Sequence, residues 1–376
     1  MAELTRSAGR DGSLVAPARF GDRSSLRRGN LAMVLRLLRD GGPRSRAGIA
    51  EDTGLPKPTV TSLVAELVEL GLVAEGEVQR RGAVGRPALA VHLDGRTVCG
   101  IGIEVSADYI GLVARSLDGR TLFEARHPVD VAGAGPDTVL DLLAERLTEG
   151  LESVAAQGAR AVGATLVAPG VVDIGAGRVD FAANIAWRGV DAVAGLSRRL
   201  GPGAPPLTLE NDAKAGAVAE YLALQGSGIH DLLYITGETG IGGGIISDGR
   251  LLRGATGFAG EIGHMPLDPG GAQCACGRRG CWETMVGLGA LLRLAADDAD
   301  PVRDPSADLE VRLAELRRRE DHGDQRTCDA FGRVADHLGL GIALLTDVLN
   351  PRAVVLGGYF TYVGDLLLPR TRAVMT

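Results

Sequence analysis

One histidine and three cysteines fall close together in the last third of the chain: His264, Cys274, Cys276 and Cys281. One imidazole and three thiolates form the ligand complement of a closed, tetrahedral structural zinc site, so Zn2+ is the expected metal. Glycines at 270, 271, 277 and 280 give the backbone freedom to bring all four side chains onto one ion, each cysteine binding deprotonated. The other reading is a chance cluster of buried thiols. It requires three of only five cysteines to crowd into one loop without a reason.

The same loop, residues 260–283, carries two acids that a metal does not need. Glu261 precedes the histidine by three residues and Glu283 follows the last cysteine by two. A metal-pinned loop would hold both carboxylates rigidly, ready to accept hydrogen bonds from a polyhydroxylated ligand, and His264 can offer its second ring nitrogen to the same ligand. Alternatively, the acids are solvated or pair with Arg278 and Arg279. Three further stretches carry candidate chemistry. Asn211 and Asp212 end an apolar strand and open a helix, where Asp212 serves either as a general base toward a hydroxyl or as a helix cap. Asn184 lies in a polar loop before Trp187. The glycine-rich run 237–244 either cradles a phosphate with its N–H groups or forms a tight hairpin.

Elements able to position these groups are visible as alternating patterns. Strands are expected at 98–105, 110–116, 161–167, 232–235 and 353–356, with helices at 137–156, 213–224, 285–296 and 331–349. That alternation means an α/β protein with sheets covered by helices. Residues 298–328 read as a charged helical excursion ending in a loop, and no short-period repeat is evident. Aromatics make up only 3% of the chain, so its cores must pack aliphatic and small side chains. No run of about 18 uncharged apolar residues is present, and the first thirty residues lack the apolar stretch of a secretion signal. The expectation is therefore a cytoplasmic protein without a membrane partner, with Cys99 and Cys328 as ordinary reduced thiols.

Charge separates the two ends. Residues 1–92 hold 14 Lys and Arg against 10 Asp and Glu, while the rest holds 26 against 37. A basic end on an acidic body suggests an appended module for a polyanion. Residues 1–25 lack periodicity and read as a disordered arm. From Asn30 apolar residues recur at helical spacing and stop at a Gly-Gly-Pro, a short helix fits 45–53, and Pro56 or Pro58 opens a third helix closed by Gly71. Two strands follow, joined by the basic run QRRGAVGRP at 79–87. This makes residues 26–93 a winged helix-turn-helix. Lys57, Thr59, Thr61 and Ser62 at the start of the third helix are placed to reach bases or phosphates of double-stranded DNA, and Arg80, Arg81 and Arg86 to meet phosphates or the minor groove. The competing reading is a three-helix interaction domain with solvated arginines.

Taken together, Glu261-Ile262-Gly263-His264 (ExGH) and the CxCGxxGCxE run from Cys274 to Glu283 resemble the ROK family (repressors, open reading frames, kinases) over about residues 27–365. The resemblance implies an actin/hexokinase-like, ribonuclease H-like two-lobed domain over 97–376. It also implies zinc on His264, Cys274, Cys276 and Cys281, and sugar contacts from Asn184, Asn211, Asp212, Glu261, His264 and Glu283. Kinases of the family begin this domain with a DxGxT-like phosphate loop, whereas residues 102–109 here read GIEVSADY. Glu104 keeps a carboxylate, but Ser106 and Ala107 replace the glycines that let phosphate approach the backbone, so no catalytic residue is expected and Asp212 holds a vestigial kinase-base position. The run 237–244 and Leu356-Gly357-Gly358 remain available to a nucleotide. Because the sequence ends at Thr376, the layer after Gly358 is expected to be cut short. The expected protein is a homodimeric or dimer-of-dimers, nucleoid-associated regulator. In it a sugar or sugar phosphate changes affinity for a DNA operator. An ATP-dependent sugar kinase with an added DNA-binding end is the alternative.

Overall fold

Capping chemistry fixes the limits of the first helices in a computed structural model that describes residues 23–77, 89–224, 226–255, 257–305 and 307–376. Helix α1 spans Arg23–Gly41, and the two-residue strand β1 (Arg44–Ser45) leads into α2 (Arg46–Thr53). The Ser45 side chain accepts the Gly48 N–H at the start of α2, and Gly54 ends it in the left-handed conformation. Helix α3 (Lys57–Glu69) starts after Pro56 with Pro58 in its first turn, where a missing N–H costs nothing. Strands β2 (Val73–Glu77) and β3 (Leu89–Leu93) complete an antiparallel sheet of order β1-β3-β2. Val34, Leu38, Ile49, Val60, Leu63, Leu67 and Val91 close a small core among these elements. The first helix begins at Arg23, earlier than its apolar periodicity and inside the span expected to be a disordered arm. Its opening turns project past the core, so they carry no apolar pattern, and Arg27 secures them by an ion pair to Glu66 of α3.

The chain divides into two compact units between Leu93 and Asp94. The second unit opens with the hairpin β4 (Val98–Val105) and β5 (Tyr109–Ser116), extended by β6 (Thr121–Pro128). The short α4 (Val131–Ala134) and long α5 (Pro136–Ala156) return the chain to β7 (Arg160–Ala168), parallel to β4. A small antiparallel sheet of β8 (Val171–Asp173), β9 (Arg178–Ala182) and β10 (Trp187–Val190) follows, then α6 (Ala192–Leu200) and β11 (Leu207–Asn211). The main sheet of this first lobe has order β11-β7-β4-β5-β6. Alternate residues of β4, Ile101, Ile103 and Val105, are buried beneath α5 together with Leu143 and Leu147.

The second lobe repeats this frame. Helix α7 (Asp212–Ala223) packs on the hairpin β12 (Leu232–Gly237) and β13 (Ile241–Ser247), which β14 (Arg250–Leu251) extends. After the metal-ligand loop come α8 (Glu283–Val286), α9 (Leu288–Ala295), α10 (Leu309–Asp321) and the long α11 (Gln325–Leu349). Strand β15 (Ala353–Gly358) then lies parallel to β12, giving the order β14-β13-β12-β15. In each lobe a hairpin is lengthened by a third strand and joined by a parallel strand that a long helix delivers. The helix expected over 285–296 is two helices, because the chain turns extended at Gly287. After Gly358, Phe360–Val374 forms α12, kinked at Val363, with Phe360, Val363 and Leu367 buried on the α11 side. Among the described residues no helix is long and apolar enough to cross a membrane.

Candidate functional site

The metal-ligand loop is a short hairpin tied to the second lobe. Isolated bridges pair Pro266 with Cys281 and Gln273 with Arg279, and Trp282 is fully buried against α11, donating its indole N–H to the His337 carbonyl at 2.8 Å. Among the glycines at 270, 271, 277 and 280, two adopt the left-handed backbone. Gly277 and Gly280 have positive φ, and a β-carbon at Gly280 would overlap the Asp268 carbonyl, whereas Gly270 and Gly271 keep φ outside that region. The ligand atoms of His264, Cys274, Cys276 and Cys281 lie within 4.8 Å of one another. Cys276 and Cys281 sulfurs are 3.6 Å apart, and Cys274 Sγ is 3.7 Å from His264 Nδ1. With metal–sulfur bonds of about 2.3 Å and metal–nitrogen bonds of about 2.0 Å, tetrahedral edges come to roughly 3.5–3.8 Å, so donor set and spacing fit zinc.

The six residues expected to touch a sugar, Asn184, Asn211, Asp212, Glu261, His264 and Glu283, all line one cavity of about 860 Å³. Both lobes contribute to it. Asn184 comes from a single 3-10 turn (Ala183–Ile185) after β9, and Asp212 is the first residue of α7. The helix cap falls to Asn211 rather than to Asp212. Its Oδ1 accepts the Lys214 N–H at 3.0 Å, while its Nδ2 donates to the Gly170 carbonyl and to Asp212 Oδ1. Asn211 is therefore buried with its amide bonded within the protein, and one of those bonds reaches Asp212. Asp212 also accepts the Ala213 N–H at 2.7 Å. Burial, then the nearby carboxylates of Glu238, Glu104 and Glu261, push the Asp212 carboxyl up to about 7 against those hydrogen bonds. Glu283, first residue of α8, faces His264 Nδ1 at 3.3 Å, and this contact raises the imidazole against partial burial.

Sequence reasoning missed the groups that hold these residues. Lys214 is one of the largest fully buried side chains. Its ammonium donates to the Gly257 carbonyl at 2.6 Å and sits 3.6 Å from Glu261 Oε1, tying α7 to the loop bearing Glu261. Glu210 is buried too, accepting the Asn211 N–H at 2.9 Å and pairing with Arg253. Glu238, at the tip of the β12–β13 hairpin, also lines the cavity.

The glycine run is a hairpin, and its glycines are used in packing. A β-carbon at Gly242 would press on Ala213, one at Gly243 on Ile262, and one at Gly244 on Ala217, so the run lets α7 and the metal loop close on β13. Gly357 and Gly358 are spent in the same way, against Tyr234 and the Gly237 carbonyl of the neighbouring strand. In the first lobe the β4–β5 turn is braced rather than open. Ser106 N–H bonds to the Tyr109 carbonyl, and the carbonyls of Ala107 and Asp108 accept from Val131 and Val129. Arg126 stacks over the Tyr109 ring with its guanidinium carbon 3.7 Å from the ring centre.

In the first unit, Lys57 and Thr61 are exposed at the start of α3 and Thr59 is half-buried. Ser62 is exposed, but its hydroxyl is already met by Arg27 Nη2 at 3.1 Å. Thr61 bonds back to the Lys57 carbonyl. Arg80, Arg81 and Arg86 lie outside the described residues.

Two lobes of repeated topology around a cleft, with a loop bearing one histidine and three cysteines on one wall, define an actin-like, hexokinase-type domain. Residues 100–376 match the ROK family, and the chain belongs to it; residues 29–76 match the IclR helix-turn-helix domain. A xylose repressor of Bacillus spizizenii is 30% identical over 90% of this chain and 84% of its own length. A crystal structure of a ROK family transcriptional regulator, described as a homolog of the E. coli MLC protein, superposes with a TM-score of 0.75 at 25% identity, covering 93% of this chain and 88% of that one. The ROK hexokinase of Thermus thermophilus superposes with a TM-score of 0.59 at 30% identity over 73% of this chain and 88% of its own.

Proposed function

We propose that the protein is a sugar-responsive transcriptional repressor of carbohydrate metabolism. The observation that carries this reading is the presence in one chain of a helix-turn-helix unit and a carboxylate-lined cleft, and 90% of that chain aligns with a relative named as a xylose repressor. Residues 26–93 bind the operator, with Lys57, Thr59, Thr61, Ser62, Arg80, Arg81 and Arg86 toward DNA, each subunit of a homodimer reading one half-site. Within 97–376, Asn184, Asp212, Glu261, His264 and Glu283 receive the sugar hydroxyls, and Asn211 holds Asp212 in place. His264, Cys274, Cys276 and Cys281 would hold zinc, which when bound supplies structural cross-linking of the loop rather than reaction chemistry. Sugar and operator then bind with opposing preference for two states of the same chain, so each weakens the other by the same factor.

Titration of a labelled upstream fragment against the protein, with and without monosaccharides, tests this. The expected result is duplex binding that at least one sugar weakens about tenfold. Binding that no sugar or sugar phosphate alters would overturn the proposal.

One observation favours a second reading. An Asp212 carboxyl near neutrality is poised as a general base, and the Thermus hexokinase shares the fold. ATP-dependent phosphorylation of a sugar, abolished in Asp212→Asn, would establish that reading. Absence of turnover across a broad sugar panel would remove it.

A further inference from the structure

Acids outnumber arginines on the cavity wall. Asp212, Glu238, Glu261 and Glu283 all line it. Glu261 sits 3.6 Å from the Lys214 ammonium and Glu283 lies against the His264 and Cys274 side chains, whereas among the described residues no ion pair reaches Asp212 or Glu238. Glu238 keeps access to water through the cleft mouth while being flanked by protein. That partial burial, with Glu104 and Asp108 of the first lobe close by, raises its carboxyl. Two arginines, Arg278 and Arg293, also belong to the lining, and both are exposed, Arg293 leaning toward the Thr284 carbonyl at 3.5 Å. The balance on the wall is therefore four acids to two arginines, and a cleft in which one sign prevails biases its field against ligands of that sign.

The backbone offers an anion little in return. At the β12–β13 tip the Glu238 N–H is already bonded to the Gly240 carbonyl, and the residue brings a carboxylate to the place a phosphate cradle would occupy. At the opposite turn the Ser106 N–H is already bonded to the Tyr109 carbonyl. A phosphate ester brings a charge of about −1.5 to −2 at neutral pH and wants donors. A free sugar brings hydroxyl donors, which are what unpaired carboxylates lack.

Granted the sugar-responsive reading above, we infer that the cleft takes an uncharged sugar and excludes its phosphate ester and nucleoside triphosphates, with Glu238 as the residue that enforces the exclusion. Glu238 acts on selectivity through its charge at the end of the cleft where Asp212, Glu104 and Asp108 reinforce it.

The test measures binding of matched pairs to the full-length protein by calorimetry: D-xylose, D-glucose and N-acetyl-D-glucosamine, each beside its phosphate ester, with ATP as a further probe. The parent of the best-bound pair is expected to bind more than about tenfold tighter than its ester, and that ratio to shrink when salt is raised from low to high. Glu238→Gln keeps the shape and removes the charge, so the ratio should narrow at least about threefold mainly through improved ester binding. An ester that binds as tightly as its parent overturns this inference and leaves the sugar-responsive reading standing. A ratio unchanged in Glu238→Gln removes Glu238 from the role. Failure of every sugar and ester to bind brings down the sugar-responsive reading itself.

Discussion

The two lobes of the cleft unit share a strand frame and use glycine in opposite ways. In the first lobe the hairpin glycines stand in open space: a β-carbon at Gly100 would meet nothing within 4 Å, and one at Gly102 would reach only ordinary contact with Val113. In the second lobe every glycine of β13 is pressed by a neighbour, by α7 on one side and by Ile262 ahead of the metal loop on the other. The first lobe is a self-sufficient sheet whose long helix buries a stripe of Val and Leu. The second is a close-fitted assembly of sheet, helix and loop, and most of the cleft's chemistry is attached to it. Resemblance of frame therefore does not carry over to tolerance of change, because one sheet has slack and the other has none.

That contrast can be broken in several ways. The largest effect should come from Cys276→Ser or from a strong chelator. Loss of zinc, followed by elemental analysis, is expected to lower the melting temperature by several degrees and to speed hydrogen exchange across 260–296 while β4 to β7 stay protected. Exchange that rises equally in both lobes would erase the distinction. Next, Gly244→Ala should cost about 1–3 kcal/mol in denaturant unfolding through overpacking against Ala217.

Asp212→Asn should move stability the other way, with a pH signature. The folded carboxyl titrates at about 7, against an ordinary value of 3.8. Between those values the folded state holds a proton the unfolded chain has lost, so wild-type stability falls as pH rises through that window and the full cost is present above it. The amide has no such slope. Its advantage should be absent near pH 4 and on the order of 2 kcal/mol at pH 8, while ligand binding suffers. No gain at pH 8 would mean the carboxyl is better solvated than its surroundings imply. The smallest effect belongs to Gly100→Ala, expected within about 0.5 kcal/mol of wild type. A large loss there would show that the first lobe has no slack either.

Much of this was legible in the sequence. The Cys and His spacing announced a loop whose four ligand atoms converge, strand 98–105 was readable as a short apolar run, and the helix expected over 45–53 is α2. What escaped depends on partners distant in the chain. Lys214 looks like any polar helix residue until the Gly257 carbonyl, contributed by a loop far downstream, closes over it. Glu238 was hidden inside a glycine run that invited a phosphate-binding reading, although a carboxylate at the tip of such a run argues against an anion there. The strands β8 to β10 are too short to show periodicity. The opening turns of α1 and α11 lie outside the apolar stripe and are set by Arg27 and by the Asp324 cap.

The buried Lys214 has a consequence for how binding preference can change. Its ammonium fastens the strap that carries Glu261 to the same helix whose first residue is Asp212, so the two acids are yoked and a shift in one drags the other. Substitutions that retune the cleft for a different epimer must therefore act on both together, and their effects should combine non-additively. A lineage adjusting its diet would be expected to change such positions in pairs rather than singly.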